Sequence, residues 1–600
     1  MKTIRLLLAG AALCAALLPG ALAQPALKVL RYAFPVAETG FDPAQISDLY
    51  SRTVTPHIFE SLYGYDHLAR PAKIVPLTAA AMPSVSEDFR TWTVRIQPGI
   101  YFTDDPAFKG RRRELVAEDY VYTFKRIADP KIKAAGWPEI EEFQFLGLSE
   151  LREEALKGKK PFNYDREIEG LKSLDRYTIQ FKMKQPRPRL IEKLASADLY
   201  GAVAREVVEH YGDRIMEHPV GTGPFKLAQW RRSSFIALDR NPAYRERYYD
   251  AQPAPDDAEG QALLQRFKGR RIPMIDRVEI SIIEESQPRW LAFLNRQLDF
   301  IAIPLDFVPI AVPNGKLAPH LRKQGIQAHR MLNPDSVVTM FNMEDPVVGG
   351  YAPEKVALRR AIGLGFDTGR MIQSLYRGQA VPAQGPIVPG ATGYDPGFKS
   401  ENGDHDPARA NALLDLYGYL DRDGDGWRDM PDGSPLVLKK ATQPEQLSRQ
   451  QDELWKRDMT ALKIRIDMVP AKWPENLKAA RAGKLQMWSV GSSADVPDGQ
   501  SALARWYGPA AGTQNLARFK SQRFDAIYER MQLLADGPER MKLFHEAKRI
   551  TVAWMPWKVH VHRILNDLTQ PWLVGYRRAP FWQEWWHMVD VEPHAPPAGR

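Results

Sequence analysis

Val220-Gly221-Thr222-Gly223-Pro224-Phe225-Lys226-Leu227 is followed by Trp230 and then by Arg240-Asn241-Pro242-Ala243-Tyr244. Two glycines and a proline make a sharp turn that runs into a strand, and Asn241-Pro242 makes a second turn. Taken alone, these turns only punctuate the chain. Their meaning comes from what flanks them.

On both sides, short β-like runs alternate with amphipathic helical stretches. Val29-Leu30-Arg31-Tyr32-Ala33-Phe34 predicts a first strand. Thr91-Trp92-Thr93-Val94-Arg95-Ile96 alternates strictly and predicts another, ahead of a Pro98-Gly99 turn. Glu118-Asp119-Tyr120 opens a helix that stops at Pro130. Further strands are expected at Tyr177–Lys182 and around Ile280–Ile283. Helices are expected from Val356 to Phe366 and from Asp406-Pro407 to Gly418. No equal-period repeat is present, which excludes a solenoid or propeller. The mixture predicts α/β or α+β domains.

The chain has 600 residues, 44% hydrophobic and 26% charged. That composition excludes a mainly disordered chain, a collagen-like fibre and a polytopic membrane protein. Length alone predicts two to four domains. The only cysteine is Cys14, which rules out a disulfide framework, a thiolate zinc site and an iron–sulfur cluster. Residues 1–23 read as an export signal. Lys2 and Arg5 open it, an apolar run follows, and Ala21-Leu22-Ala23 is a small-x-small cleavage pattern. Cleavage is expected after Ala23, giving a soluble, exported, cysteine-free protein. The net charge is +9, of which Lys2 and Arg5 contribute two. Lys and Arg are scattered among acids, and the compact run Arg111-Arg112-Arg113 reads as a solvated loop, so no nucleic-acid partner is expected.

Catalytic and metal-binding signals are few. Asp421-x-Asp423-x-Asp425-Gly426 has the spacing of a calcium loop. The closing Glu is absent, however: Asp432 stands in its place, and Pro431-Asp432-Gly433 makes a further turn. His560-Val561-His562 places two imidazoles on one face of a strand, without a third ligand nearby in sequence. No Gly-x-Ser-x-Gly elbow, His-Glu-x-x-His or phosphate-binding glycine loop is present. No catalytic residue, metal site or cofactor is therefore expected. A secreted hydrolase stays as an alternative that turnover on a peptide or glycoside panel would revive.

In order along the chain, these pieces resemble family 5 extracellular solute-binding proteins of ABC importers, the oligopeptide/dipeptide-binding group. Besides the paired turns, Phe41-Asp42-Pro43 looks like the family's early Leu-Asp-Pro. Ile58-Phe59-Glu60-Ser61-Leu62-Tyr63 resembles its phenylalanine-glutamate-glycine-leucine helix, and Trp92 to Phe102 its strand-turn-strand. Ala117-Glu118-Asp119-Tyr120-Val121, Phe341-Asn342-Met343, Arg359-Arg360-Ala361-Ile362, Asp367, and Asp406-Pro407 through Gly418-Tyr419 continue the match.

The resemblance implies an α/β fold of two lobes around a hinge cleft, the class II, cluster C type of periplasmic binding protein, with an extra domain. The hinge lobe, lobe I, is expected from 24–55, 187–305 and 555–600, the extra domain from 56–186, and the far lobe, lobe II, from 306–554. It implies a periplasmic receptor that captures a peptide-like solute and meets a membrane permease transiently, as a monomer. The same fold binding a metal chelate, haem or an oligosaccharide is the alternative. In peptide-binding members an aspartate after a Gly-x-x-Ala turn holds the peptide's amino terminus. Val490-Gly491-Ser492-Ser493-Ala494-Asp495-Val496-Pro497-Asp498 matches that segment, with Asp495 in the anchoring place. By the same resemblance, Gly491 and Ser493 offer backbone groups to an extended ligand, as do Ser47 and Leu49 from the opposite lobe. Val496 and Ser492 depart from the family, replacing an aromatic and, in some peptide binders, a tryptophan. Trp488 and Trp506 flank the region as candidates for the cleft wall or the core.

Overall fold

The computed structural model describes residues 27–158 and 161–593. The expected export signal, its cleavage point after Ala23 and Cys14 lie outside the described residues.

The hinge lobe is built on a four-stranded sheet. Val29–Phe34 pairs in parallel with Arg277–Ile282, which pairs antiparallel with Phe235–Arg240, which in turn pairs with Phe225–Arg231. Leu30, Phe34, Ile236, Leu238, Val278 and Ile280 alternate inward and are buried. The turn Gly221–Pro224 feeds this sheet and explains its own glycines. A Cβ on Gly221 would stand 2.0 Å from the carbonyl oxygen of Ile58, and one on Gly223 would stand 2.7 Å from those of His57 and Ile58. Asn241 ties the two turns together: its Nδ2 donates to Gly223 O at 2.8 Å and its backbone N to Pro224 O at 2.9 Å. The two turns occur together in sequence because they are bonded to each other in space.

The extra domain holds a second sheet in the order Ser84–Val85, Thr91–Arg95, Thr178–Lys182, Leu171–Asp175. Helix Ala117–Ala128 covers it with Tyr120, Phe124 and Ile127, all buried. Asp119 stabilises the helix start by accepting the N–H of Val116 at 2.8 Å.

The far lobe holds a third, larger sheet. Asp335–Phe341 runs through its middle, buried at every position. It pairs on one side with Met487–Ser493 and on the other with the first half of the 13-residue strand Trp557–Thr569. The second half of that long strand pairs with Gln327–Leu332 and Phe300–Ala302. Phe300 packs on Tyr32 of the hinge lobe, with ring centroids 5.0 Å apart. One continuous strand thus links the far-lobe sheet to the hinge-lobe core. The expected division at 554/555 falls at the start of this strand, whose first half is bonded into the far-lobe sheet. Helix Pro407–Leu416 forms as expected, capped by the Asp406 carboxylate on Arg409 N and ended by Gly418 at φ 80°.

Candidate functional site

Two cavities of about 670 and 620 Å³ lie between the lobes and share Arg52, Ser493, Ala494 and Asp495 as a common wall. Each has the size of a small-solute site. The first is lined by charged groups, Glu139, Glu142 and Lys193 on one side and Arg505 on the other. The second is rich in aromatics, with Tyr32, Tyr50 and Trp582 among them.

Asp495 sits on this wall with 37% of its side chain exposed. Lys193 Nζ lies 3.4 Å from its Oδ2 and 2.6 Å from Glu139 Oε2. The Lys193 ammonium is the main reason the Asp495 carboxyl is held below the usual range, against the opposing effect of burial, with Arg52 adding to it. Arg52 itself pairs with Asp198 at 2.6 Å. Burial, reinforced by the Asp498 charge, raises Glu192 to about 8.

The loop carrying Asp495 is locked from below. Asp498 is fully buried and takes two parallel bonds from Arg540, at 2.7 and 2.8 Å. It also accepts Gln500 N at 2.8 Å. Across the cleft, Arg189 approaches Asp498 at 3.6 Å and Asp536 at 2.9 Å, and Gln532 donates to Glu142 at 3.0 Å.

The strand Met487–Ser493 has one fully paired edge and one that is mostly open. Its pairing with Val437–Thr442 covers only Met487 and Trp488. Asn342 N donates to Gln486 O and Ala494 N to Pro334 O, both at 2.9 Å, so even-numbered residues turn their backbone groups toward Asp335–Phe341. By alternation, Gly491 and Ser493 turn theirs to the other edge, beyond its last strand partner among the described residues. Ser493 lines both cavities; Gly491, one pair further back, lines neither. On the hinge lobe, Val29–Phe34 is an edge strand. Arg31 N donates outward to the Asp299 carboxylate at 2.6 Å and Arg31 O accepts Asp299 N at 2.9 Å, so Ala33, two residues on, also faces outward, at the wall of the second cavity. Leu49 lines that cavity and is 58% exposed; Ser47 is exposed but lines neither cavity.

Trp488 and Trp506 are buried in the far-lobe core and line neither cavity. Val496 and Ser492 line the first. His560 and His562 do not share a ligand. His560 Nε2 bonds Thr339 Oγ1 at 2.8 Å, and His562 Nδ1 bonds Asp335 O at 2.6 Å. In the acidic loop, the carboxylates of Asp421, Asp423 and Asp429 lie within 4.8 Å of one another. Each is already accepting a backbone N–H of the same loop, Asp425 pairs with Arg465, and Asp432 bonds Ser434. The groups that sequence reasoning missed are Lys193, Arg52, Arg505 and Ala33. The signal for Lys193 was the adjacent charged pair Glu192-Lys193 set between the apolar pairs Leu190-Ile191 and Leu194-Ala195.

A two-lobed fold with a charged, strand-edged cleft is the architecture of a solute receptor. The family profile described as bacterial extracellular solute-binding proteins, family 5, middle region, matches residues 73–514, and the chain belongs to that family. It is 25% identical over 575 residues to di/tripeptide-binding protein 2 of Pseudomonas aeruginosa, covering 93% of each chain. It is 22% identical to heme-binding protein A of Haemophilus influenzae, over 94% of this chain and 92% of that protein. Its fold matches the ABC transporter-associated periplasmic binding protein DppA of Helicobacter pylori, solved with the peptide STSA. That match has a TM-score of 0.71 at 20% identity and covers 94% of this chain and 98% of the other. No helix among the described residues is long and apolar enough to cross a membrane.

Proposed function

We propose that this protein captures a short peptide-like solute between its lobes in the periplasm and delivers it, as a monomer, to an ABC permease, catalysing nothing itself. The observation that carries this reading is the meeting of a carboxylate with open backbone edges in one cleft. Gly491 and Ser493 on the far lobe and Ala33 on the hinge lobe turn backbone groups to edges with no strand partner among the described residues, at or beside the cavity wall. An extended peptide adds to such edges as a strand, which reads backbone and leaves side chains free. Asp495 takes the amino terminus. Lys193 Nζ already marks an ammonium position beside it, and the solute's amino group replaces or joins that contact. Charge pairs between the lobes and bonds to the solute then favour closure together, since a ligand shifts a two-state equilibrium by its differential contacts.

Native mass spectrometry of the purified exported protein, followed by denaturation, tests this. A heterogeneous set of short peptides is expected. A single non-peptide mass, such as haem or a metal chelate, would replace the peptide reading with the other one.

A further inference from the structure

A third cavity, of about 280 Å³, lies inside the far lobe, behind the cleft wall. Ile387 lines it, and Val388 beside it lines the first interlobe cavity, so the two spaces sit back to back. None of its lining residues lines either interlobe cavity. A wider surface groove meets it at Asp395, Phe398 and Lys399, which gives a solute a way in. Its volume corresponds to about nine waters, at about 30 Å³ each, or to one small organic molecule.

Two deeply buried polar side chains line this cavity. Lys548 comes from the inward face of the helix Pro538–Trp554 and is 2% exposed. Its ammonium donates to Gly393 O at 3.2 Å and lies 4.8 Å from the centre of the Phe398 ring. No carboxylate stands within ion-pair distance of it among the described residues. Burial pushes its pKa down, and the Asp395 charge opposes this from further away. His562, also 2% exposed, enters from the strand Trp557–Thr569, opposite Val381. Its Nδ1 bonds the carbonyl oxygen of Asp335, so Nδ1 carries the proton. Burial lowers the ring's pKa, against the bond and charge of Asp335, and so favours the neutral form. Nε2 is then an acceptor, and it has no hydrogen-bond partner among the described residues.

A desolvated ammonium is costly, and an entering carboxylate offsets the cost through a charge-assisted bond. A neutral imidazole acceptor asks for something else, an O–H or N–H donor. The remaining wall, including Pro382, Ile387, Tyr394 and Phe398, offers CH groups and ring faces. Water answers the hydrogen bonds but brings no counter-charge to Lys548. The occupant that answers all three has one negative charge and a hydroxyl on a short carbon frame.

We propose that this cavity is a second solute site, separate from the interlobe cleft, which takes a small hydroxycarboxylate: Lys548 holds the carboxylate and His562 Nε2 accepts a hydrogen bond from the hydroxyl. The assignment stands apart from the peptide reading, since none of its residues lines the cleft.

Calorimetry on the full exported protein tests it with D-glycerate, with glyceramide as the probe lacking the charge and propanoate as the probe lacking the hydroxyls. D-glycerate is expected to bind at least tenfold more tightly than either. Lys548→Met, checked for folding by thermal melting, is expected to lose at least tenfold in D-glycerate affinity. Unchanged affinity in that variant means the anion sits elsewhere, and overturns the assignment. So does the absence of D-glycerate binding to the unaltered protein, or binding of either control probe as tight as that of D-glycerate. A crystal structure of the unaltered protein with D-glycerate reads the location without a variant: the probe is expected against Lys548 and His562, and a probe found only in the interlobe cleft overturns the proposal.

Discussion

Lys193 Nζ stands 3.4 Å from Asp495 Oδ2 across the interlobe cleft, joining residues 302 positions apart in the chain. The carboxylate chosen by sequence resemblance is therefore partly satisfied from the opposite lobe. A ligand ammonium gains the difference between its own contact and that of Lys193.

Asp495→Ala should weaken binding of an amine-bearing peptide by about 2–5 kcal/mol, the range for losing one partner of a buried charge pair. Calorimetry with a peptide recovered from the protein measures it. The N-acetylated form of the same peptide should bind both proteins alike, and a persisting difference would assign Asp495 a purely structural role.

Arg540→Met should destabilise the far lobe by up to about 3–5 kcal/mol, because it strips the buried Asp498 carboxylate of its two close guanidinium bonds and leaves it Gln500 N and the longer Arg189 contact. Denaturant unfolding reads this directly. The double variant Arg540→Met/Asp498→Leu should recover much of the loss, since the penalty lies in the orphaned charge.

Glu192 gives a pH signature. Its ordinary value is 4.5, and burial first, then the Asp498 charge, raise it to about 8 in the fold. The folded state therefore holds a proton that the unfolded chain releases, so its contribution to stability is complete below about pH 4.5. That contribution declines as pH rises toward 8. Glu192→Gln removes this loss. Relative to the variant, the unaltered protein should lose stability between pH 5 and pH 8.5, by at most about 1.4 kcal/mol per pH unit. Parallel melting curves would argue against a protonated Glu192.

Gly221→Ala should cost about 1–3 kcal/mol or more by overpacking, because the added carbon meets the Ile58 carbonyl and backbone cannot yield as a side chain does. Gly99→Ala is the control: its Cβ meets nothing, although its φ of 82° imposes backbone strain of its own. A smaller loss at Gly221 than at Gly99 would contradict the close-approach account.

Local structure was largely legible. The strand Val29–Phe34 and the helix cap at Asp406 appear where alternation and turn chemistry put them, because both signals are carried by neighbouring residues. The paired turns were legible as a resemblance, and their mutual hydrogen bonds through Asn241 supply the physical reason. The cleft was less so. Asp495 was reached through its local motif, but Lys193, Arg52 and Arg505 come from distant segments, and only tertiary assembly brings them together. His560 and His562 show the converse. Spacing put them on one face, yet strand pairing gave each a different hydrogen-bond acceptor or donor.

The half-open strand Met487–Ser493 also bears on solubility. Unpaired backbone on a sheet edge is a template for pairing with any extended chain, including another copy of the same protein. Nature usually blunts such edges with charge, proline or a bulge, but this one runs through Gly491, Ser492 and Ser493, none of which does so. Gly491 and Ser493 are exposed along it, and closing the lobes over a solute would cover that edge. Lobe closure thus acts as a shield against intermolecular β-pairing, and solute that holds the lobes together should slow aggregation as well as raise melting temperature.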